Sequence, residues 1–275
     1  MSKQKSKWVI NPAPKLNATA RLFCFPYGGG SAHVFNSWSS RLPSWIDVCS
    51  VQAPGRGDRL SEPPFTNLND LVNVAAGAVK PFLDLPFAFF GHSIGALISF
   101  ELSRCLRRRF GVQPFLLLVS GSRAPQICYQ GTPFFDLPET QFLAEVERLN
   151  GIPKEVLQHS ELMQIMTPLL RADFSLDQTY LYKNDQRLSC PIIAFGGLDD
   201  VIVNRASLEA WNQQTTASFS AKLFPGDHFF INTATPSLLE SISSSISSTT
   251  VRRPAEINDR EIPDEHIDDS GALCV

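Results

Sequence analysis

Short apolar runs recur along the chain, most closing near glycine, proline or serine, with amphipathic stretches between them. Leu22-Phe-Cys-Phe25, Asp47-Val-Cys-Ser-Val51, Phe87-Ala-Phe-Phe90, Phe115-Leu-Leu-Leu-Val119 and Ile192-Ile-Ala-Phe195 are of this kind, and 219–224 is the last strand-like run. Continuous apolar runs suit strands covered on both faces, as in a parallel sheet. After Phe90 the period changes. Ile98, Leu102, Cys105 and Leu106 share one helical face, Arg107, Arg108 and Arg109 end it, and Gly111 is placed as a C-cap. Alternating strands and helices predict an α/β architecture, a mostly parallel sheet flanked by helices.

One region breaks the rhythm. Between Val119 and Pro191 no strand is evident, and at least two helices are predicted. Asp136-Leu-Pro-Glu139 has the form of a capping box, Phe142, Leu143, Val146 and Leu149 follow at helical spacing, and Gly151 is the stop. A second helix is expected from about Pro153 through Leu170. The insertion, about 122–188, reads as a helical lid at the carboxyl edge of the sheet; an ordinary crossover with one extra helix is the alternative.

The length of 275 residues suits a single domain over 1–250 with a sizeable core. No apolar run of about 18 residues exists, so no membrane span is expected. The basic Met1–Lys7 segment lacks an apolar run after it, which argues against a secretory signal. Six scattered cysteines without C-x-x-C pairs fit reduced thiols in a cytoplasmic protein. The net charge of −3 is unevenly placed: residues 251–275 carry three arginines against seven acids, leaving the rest near neutral. That acidic tail is expected to be disordered, and the body has no basic field for nucleic acid.

The chemistry centres on Gly91-His92-Ser93-Ile94-Gly95, between an apolar run and a helical pattern. At a strand-to-helix junction, G-x-S-x-G sets a serine on a strained turn, with glycines where side chains would collide. Ser93 is therefore the candidate nucleophile and the fold is expected to be that of an α/β-hydrolase. A serine hydroxyl needs a base, and the base an orienting acid, in the chain order Ser, Asp/Glu, His. His33 and His92 precede or adjoin Ser93, His159 lies in the insertion and His266 in the tail. His228, in a glycine-containing turn after the last strand-like run, is left as the base. Asp199 and Asp200 both follow a strand directly, and spacing does not separate them. Asp227 is too close to His228 in sequence to reach its ring easily. The amide of Ile94, at a helix start, is one candidate oxyanion donor. The second falls in Phe25-Pro-Tyr-Gly-Gly-Gly30, with Gly28 first and Tyr27 second. No Lys-Ser/Thr follows those glycines, which excludes a P-loop.

Together the motifs resemble the type II thioesterases of polyketide, nonribosomal peptide and fatty acid synthases, from about Leu22 to about Thr235. The resemblance rests on Phe25–Gly30, Ala53-Pro-Gly-Arg56 with Arg59 and Glu62, Phe89–Ser93, Arg171-Ala-Asp-Phe174, Gly197-Leu-Asp-Asp200 and Gly226-Asp-His228. It selects Asp200 as the acid and assigns no catalytic role to Arg56 or Asp173, which read as ion-pair or capping residues. Two positions depart from the family: Ile94 stands where Met is usual and Asp227 where Gly is usual. The resemblance implies a serine thioesterase acting on acyl groups carried by phosphopantetheine arms of acyl- or peptidyl-carrier protein domains; a monomer without cofactor or metal is expected. Removal of stalled acyl groups is the implied role; medium-chain fatty acyl release and general carboxylesterase activity are the alternatives. A docking role for Arg104, Arg107, Arg108 and Arg109 is ranked below simple charge complementation of a helix C-terminus. A non-catalytic hydrolase-fold binding protein is disfavoured by the intact Ser-Asp-His set.

Overall fold

The structure is a computed structural model that describes residues 6–149, 152 and 159–251. Seven strands form one sheet in the order β1-β3-β2-β4-β5-β6-β7. They are β1 (Val9–Ile10), β2 (Ala20–Phe25), β3 (Ile46–Val51), β4 (Phe87–His92), β5 (Leu116–Ser120), β6 (Ile192–Gly197) and β7 (Phe219–Phe224). All neighbours run parallel except β1, which pairs antiparallel with β3. Only β1 escapes the hydrophobic pattern, because two residues are too few to show a period.

The apolar runs are buried on both faces, as a doubly covered parallel sheet requires. Phe23, Phe89, Leu117 and Ile192 point to one face, against α2 (Leu68–Val79) and α3 (Ile94–Phe110). Leu22, Val48, Phe90 and Leu118 point to the other, against Trp38 and the C-terminal helix Thr235–Val251. Helix α3 ends as predicted: Gly111 is left-handed at φ 66° and its N–H donates to the Arg107 carbonyl. The arginines at that end are committed internally. Arg104 pairs with Glu101 and Asp185, Arg108 pairs with Asp185, and Arg107 donates to the carbonyls of Gln186 and Arg187. They strap the chain before β6 onto the helix.

The insertion after β5 forms α4 (Glu139–Arg148) and α5 (Ser160–Gln178) around an apolar cluster of its own, with Phe134, Phe142, Val146, Met163 and Leu170 buried. Two expectations change here. The helix α4 has Pro138, not Asp136, at its cap and receives no side-chain hydrogen bond; a proline at that point has no N–H to leave unpaired. The helix α5 starts at Ser160, where His159 Nδ1 accepts the Leu162 N–H, and runs past Leu170 because buried positions continue through Leu176. The predicted stop at Gly151, the start at Pro153 and the acidic tail lie outside the described residues, apart from Val251.

Candidate active site

Ser93 sits between the end of β4 and the first turn of α3 at φ 55°, ψ −124°, the one positive-φ non-glycine among the described residues. Such a conformation costs about 1–3 kcal/mol and persists only where its surroundings enforce it. The enforcement is visible. The Ser93 N–H donates to the Ser120 carbonyl at 2.8 Å. A Cβ on Gly91 would lie 2.2 Å from the Gly95 oxygen, and one on Gly95 would lie 2.3 Å from the Phe25 oxygen. Both glycines are therefore steric requirements of the turn.

The loop after β6 and the loop after β7 meet beside this serine. Asp200 Oδ2 accepts from His228 Nδ1 at 2.9 Å, while Asp200 Oδ1 accepts the amides of Ile202 and Val203 at 2.8 and 3.0 Å. The Asp200 carboxylate is fully enclosed and the His228 side chain nearly so. Burial alone would raise the Asp200 pKa, but the His228 hydrogen bond and charge and the two amides hold it below the usual value. Asp199 is exposed, and its own amide donates to the Gly226 carbonyl at 3.0 Å. Geometry thus separates the two aspartates that spacing left open. With Nδ1 given to a carboxylate, the imidazole presents Nε2 as the proton acceptor.

Of the two expected oxyanion donors, Ile94 opens α3 and Gly28 follows β2, and both line the same cavity as Ser93 and His228. The Gly29 amide is taken by Asp173 Oδ2 at 2.7 Å and the Gly30 amide by the Tyr27 carbonyl at 2.9 Å. Tyr27 and Gly28 remain as the loop amides beside the cavity.

Sequence reasoning passed over His92. Its ring is fully buried, with Nε2–H donating to the His228 carbonyl at 3.0 Å and Nδ1 accepting the Ser120 hydroxyl at 2.9 Å. The carbonyl partner fixes the tautomer, since a carbonyl only accepts. Burial, and then the neighbouring His228, push its pKa down to about 3, so it stays neutral. Gly121, at φ 55°, leaves room for the ring: a Cβ there would lie 2.8 Å from His92 Cε1. The signal available in sequence was a histidine adjoining the nucleophile, which by itself says nothing about a partner so distant along the chain.

The cavity has a volume of about 410 Å³. Its floor is the sheet edge with Ser93 and His228; its far wall comes from the insertion through Phe134, Val146, Leu170 and Phe174. Arg123 and Asp177, paired at 3.0 Å, add a polar side. The wall can enclose an acyl chain while the carbonyl stays at Ser93. Among the described residues no group of His, Cys, Asp and Glu side chains could hold a metal ion, and no helix is long and apolar enough to cross a membrane.

A parallel sheet carrying a serine at a strand-to-helix turn, with aspartate and histidine on the loops after later strands, is the architecture of an α/β-hydrolase. The match to the thioesterase domain model over residues 20–246 narrows this class: the chain belongs to the thioesterase family, hydrolases of acyl thioesters. It is 50% identical over 228 residues to the gramicidin S biosynthesis protein GrsT of Aneurinibacillus migulanus, covering 83% of this chain and 89% of that protein. To the thioesterase PikA5 of Streptomyces venezuelae it is 36% identical, covering 82% and 80%. Among solved structures it resembles the type II thioesterase BorB of the borrelidin cluster, with TM-score 0.79, 30% identity and coverage of 89% and 98%. It also resembles ClbQ of the colibactin nonribosomal peptide and polyketide pathway, with TM-score 0.81, 31% identity and coverage of 85% and 99%.

Proposed function

We propose that this thioesterase clears stalled or aberrant acyl groups from phosphopantetheine arms of carrier protein domains in a polyketide or nonribosomal peptide synthase, with Ser93, His228 and Asp200 as its triad. The observation that carries the triad is the enclosed Asp200–His228 hydrogen bond of 2.9 Å beside a serine held in a strained turn. His228 takes the proton of Ser93 as Oγ bonds to the thioester carbon and the carbonyl electron pair moves to oxygen. The oxyanion is met by the amides of Ile94 and Gly28. Collapse expels the sulfur, which takes the proton from His228 and leaves as a thiol. The neutral histidine then takes a proton from the water that attacks the acyl-serine, and returns it to Ser93 Oγ as the acid departs. Asp200 fixes the imidazole tautomer and stabilises its charged form.

The insertion acts as a lid whose apolar wall selects the acyl group. Relatives and structural neighbours drawn from synthase clusters support the carrier-bound substrate. A cytoplasmic setting fits the free cysteines, of which Cys24, Cys49, Cys105 and Cys190 are buried.

The test is hydrolysis of carrier proteins loaded with two-carbon to twelve-carbon acyl groups, wild type against Ser93→Ala. Release of short acyl groups, abolished by the substitution, is expected. Undiminished turnover by Ser93→Ala ends the nucleophile assignment, and a strong preference for the longest chains replaces editing by fatty acyl release.

A further inference from the structure

The buried pair Arg56–Asp173 joins two parts of the molecule that the mechanism treats separately. Arg56 follows β3 in the Ala53-Pro-Gly-Arg56 motif, and Asp173 lies on insertion helix α5. Their bond is bidentate, Nη2 to Oδ1 at 2.8 Å and Nη1 to Oδ2 at 3.1 Å, with both side chains nearly sealed from solvent. Two further bonds run into the glycine loop after β2. Asp173 Oδ2 accepts the Gly29 N–H at 2.7 Å, and Arg56 Nη1 donates to the Gly30 carbonyl at 3.2 Å. Packing reinforces the attachment, since a Cβ on Gly29 would lie 2.8 Å from Leu170 Cδ2. Helix α5 therefore grips the loop through a carboxylate and a leucine, and the guanidinium bridges them.

The same stretch of α5 lines the acyl cavity. Leu170, Asp173, Phe174 and Asp177 fall on one helical stripe and all face it. One carboxylate thus stands between the cavity wall and the loop whose neighbouring residue, Gly28, lines the cavity beside Ser93.

We propose that Asp173 and Arg56 are positioning residues that set the Gly28 oxyanion donor through the Gly29 amide, so that helix α5 and the donor are placed as one unit. The proposal rests on the triad and oxyanion assignment above. It gives the insertion a part in the rate as well as in binding. An acyl group that displaces α5 loses the donor, and discrimination among acyl groups then appears in kcat.

A buried ion pair is replaceable by apolar residues of similar volume at little cost in stability, whereas removing one partner strands the other charge. The decisive variant is therefore Arg56→Met/Asp173→Leu, accompanied by Asp173→Asn, which keeps size and one acceptor. Three measurements are made: the melting temperature, kcat and KM per active site titrated with a fluorophosphonate, and hydrogen exchange of the Gly29 amide by NMR. The double variant is expected to remain folded, to lose kcat by about 10²-fold as for one missing oxyanion donor, to hold KM within about threefold, and to exchange Gly29 faster. Asp173→Asn should show the same pattern with a smaller loss, and it decides the matter if the double variant does not fold. A folded variant with wild-type kcat per site overturns the proposal. Ser93→Ala assayed in parallel reports on the triad separately, and Gly29 exchange reports on the clamp without any substrate. Protection of Gly29 unchanged in the double variant also overturns it.

Discussion

The sheet edge and the insertion carry the two halves of one cavity by opposite means. At the edge, backbone geometry dictates residue type. Ser93 holds a turn whose close backbone contacts make glycine obligatory at positions 91 and 95, and Asp200 spends one oxygen on two amides and the other on His228. In the insertion, Phe134, Val146 and Phe174 supply apolar volume, which several residue types could fill. Chemistry is thus fixed at the edge and at the Arg56–Asp173 clamp on its glycine loop, while the rest of the insertion wall is free to vary with substrate. Breaking the edge should abolish turnover for every acyl group. Asp200→Asn is expected to lower kcat about 10⁴-fold, as when the wrong histidine tautomer is imposed, across the whole two-carbon to twelve-carbon series. A loss confined to some chain lengths would erase the division.

Changing the insertion away from the Arg56–Asp173 clamp should alter preference and spare the chemistry. Phe174 lines the cavity, its ring centred 4.8 Å from that of Phe134. Phe174→Ala opens that wall, so the ratio of kcat/KM for twelve-carbon over two-carbon substrates should rise about tenfold, the scale on which pockets discriminate by apolar size. Two-carbon turnover should stay within about threefold. A uniform fall for all substrates would mean that the two walls are not separable at this residue.

This division also explains what the sequence made legible. Six of the seven strands, α3 with its Gly111 cap, and the turn at Ser93 followed from patterns that sterics enforce, whereas His228 was reached by chain order and elimination among the histidines. Asp200 needed the family pattern, since adjacent aspartates on a loop have the same spacing to everything. Within the insertion, helices were readable but their ends were not: Pro138 caps α4 without a side-chain hydrogen bond, and α5 extends to Gln178. Contacts between distant segments, such as Arg56 with Asp173 or His92 with the His228 carbonyl, have no local period to reveal them.

His92 offers a gentler test of the edge. Its ring is neutral with a pKa of about 3, against 6.5 for an exposed imidazole. Between those values the unfolded chain binds a proton that the folded chain refuses, so folding stability rises with pH across that window and falls as pH drops. His92→Gln keeps an amide donor for the His228 carbonyl and removes the titration. The variant should therefore lose less stability than wild type between pH 6.5 and pH 3, read as the difference between two denaturation series. Parallel curves would show that the imidazole is not buried in its neutral form.

The smallest effect is expected one residue from the largest. Asp199 and Asp200 share the loop after β6, and the end of that strand is pressed against the histidine loop: a Cβ on Gly197 would lie 2.3 Å from the Asp227 oxygen. What Asp199 gives to this junction is its backbone, through an amide that donates to the Gly226 carbonyl, while its side chain is exposed. Asn at 199 retains that amide, so kcat and KM should each remain within about twofold of wild type. The roughly 10⁴-fold gap from Asp200→Asn would then belong to the direction of one carboxylate and not to charge near the site, because both substitutions remove the same charge from the same loop. Comparable losses at 199 and 200 would mean that the loop acts through its summed field, and the 2.9 Å bond to His228 would lose its special place.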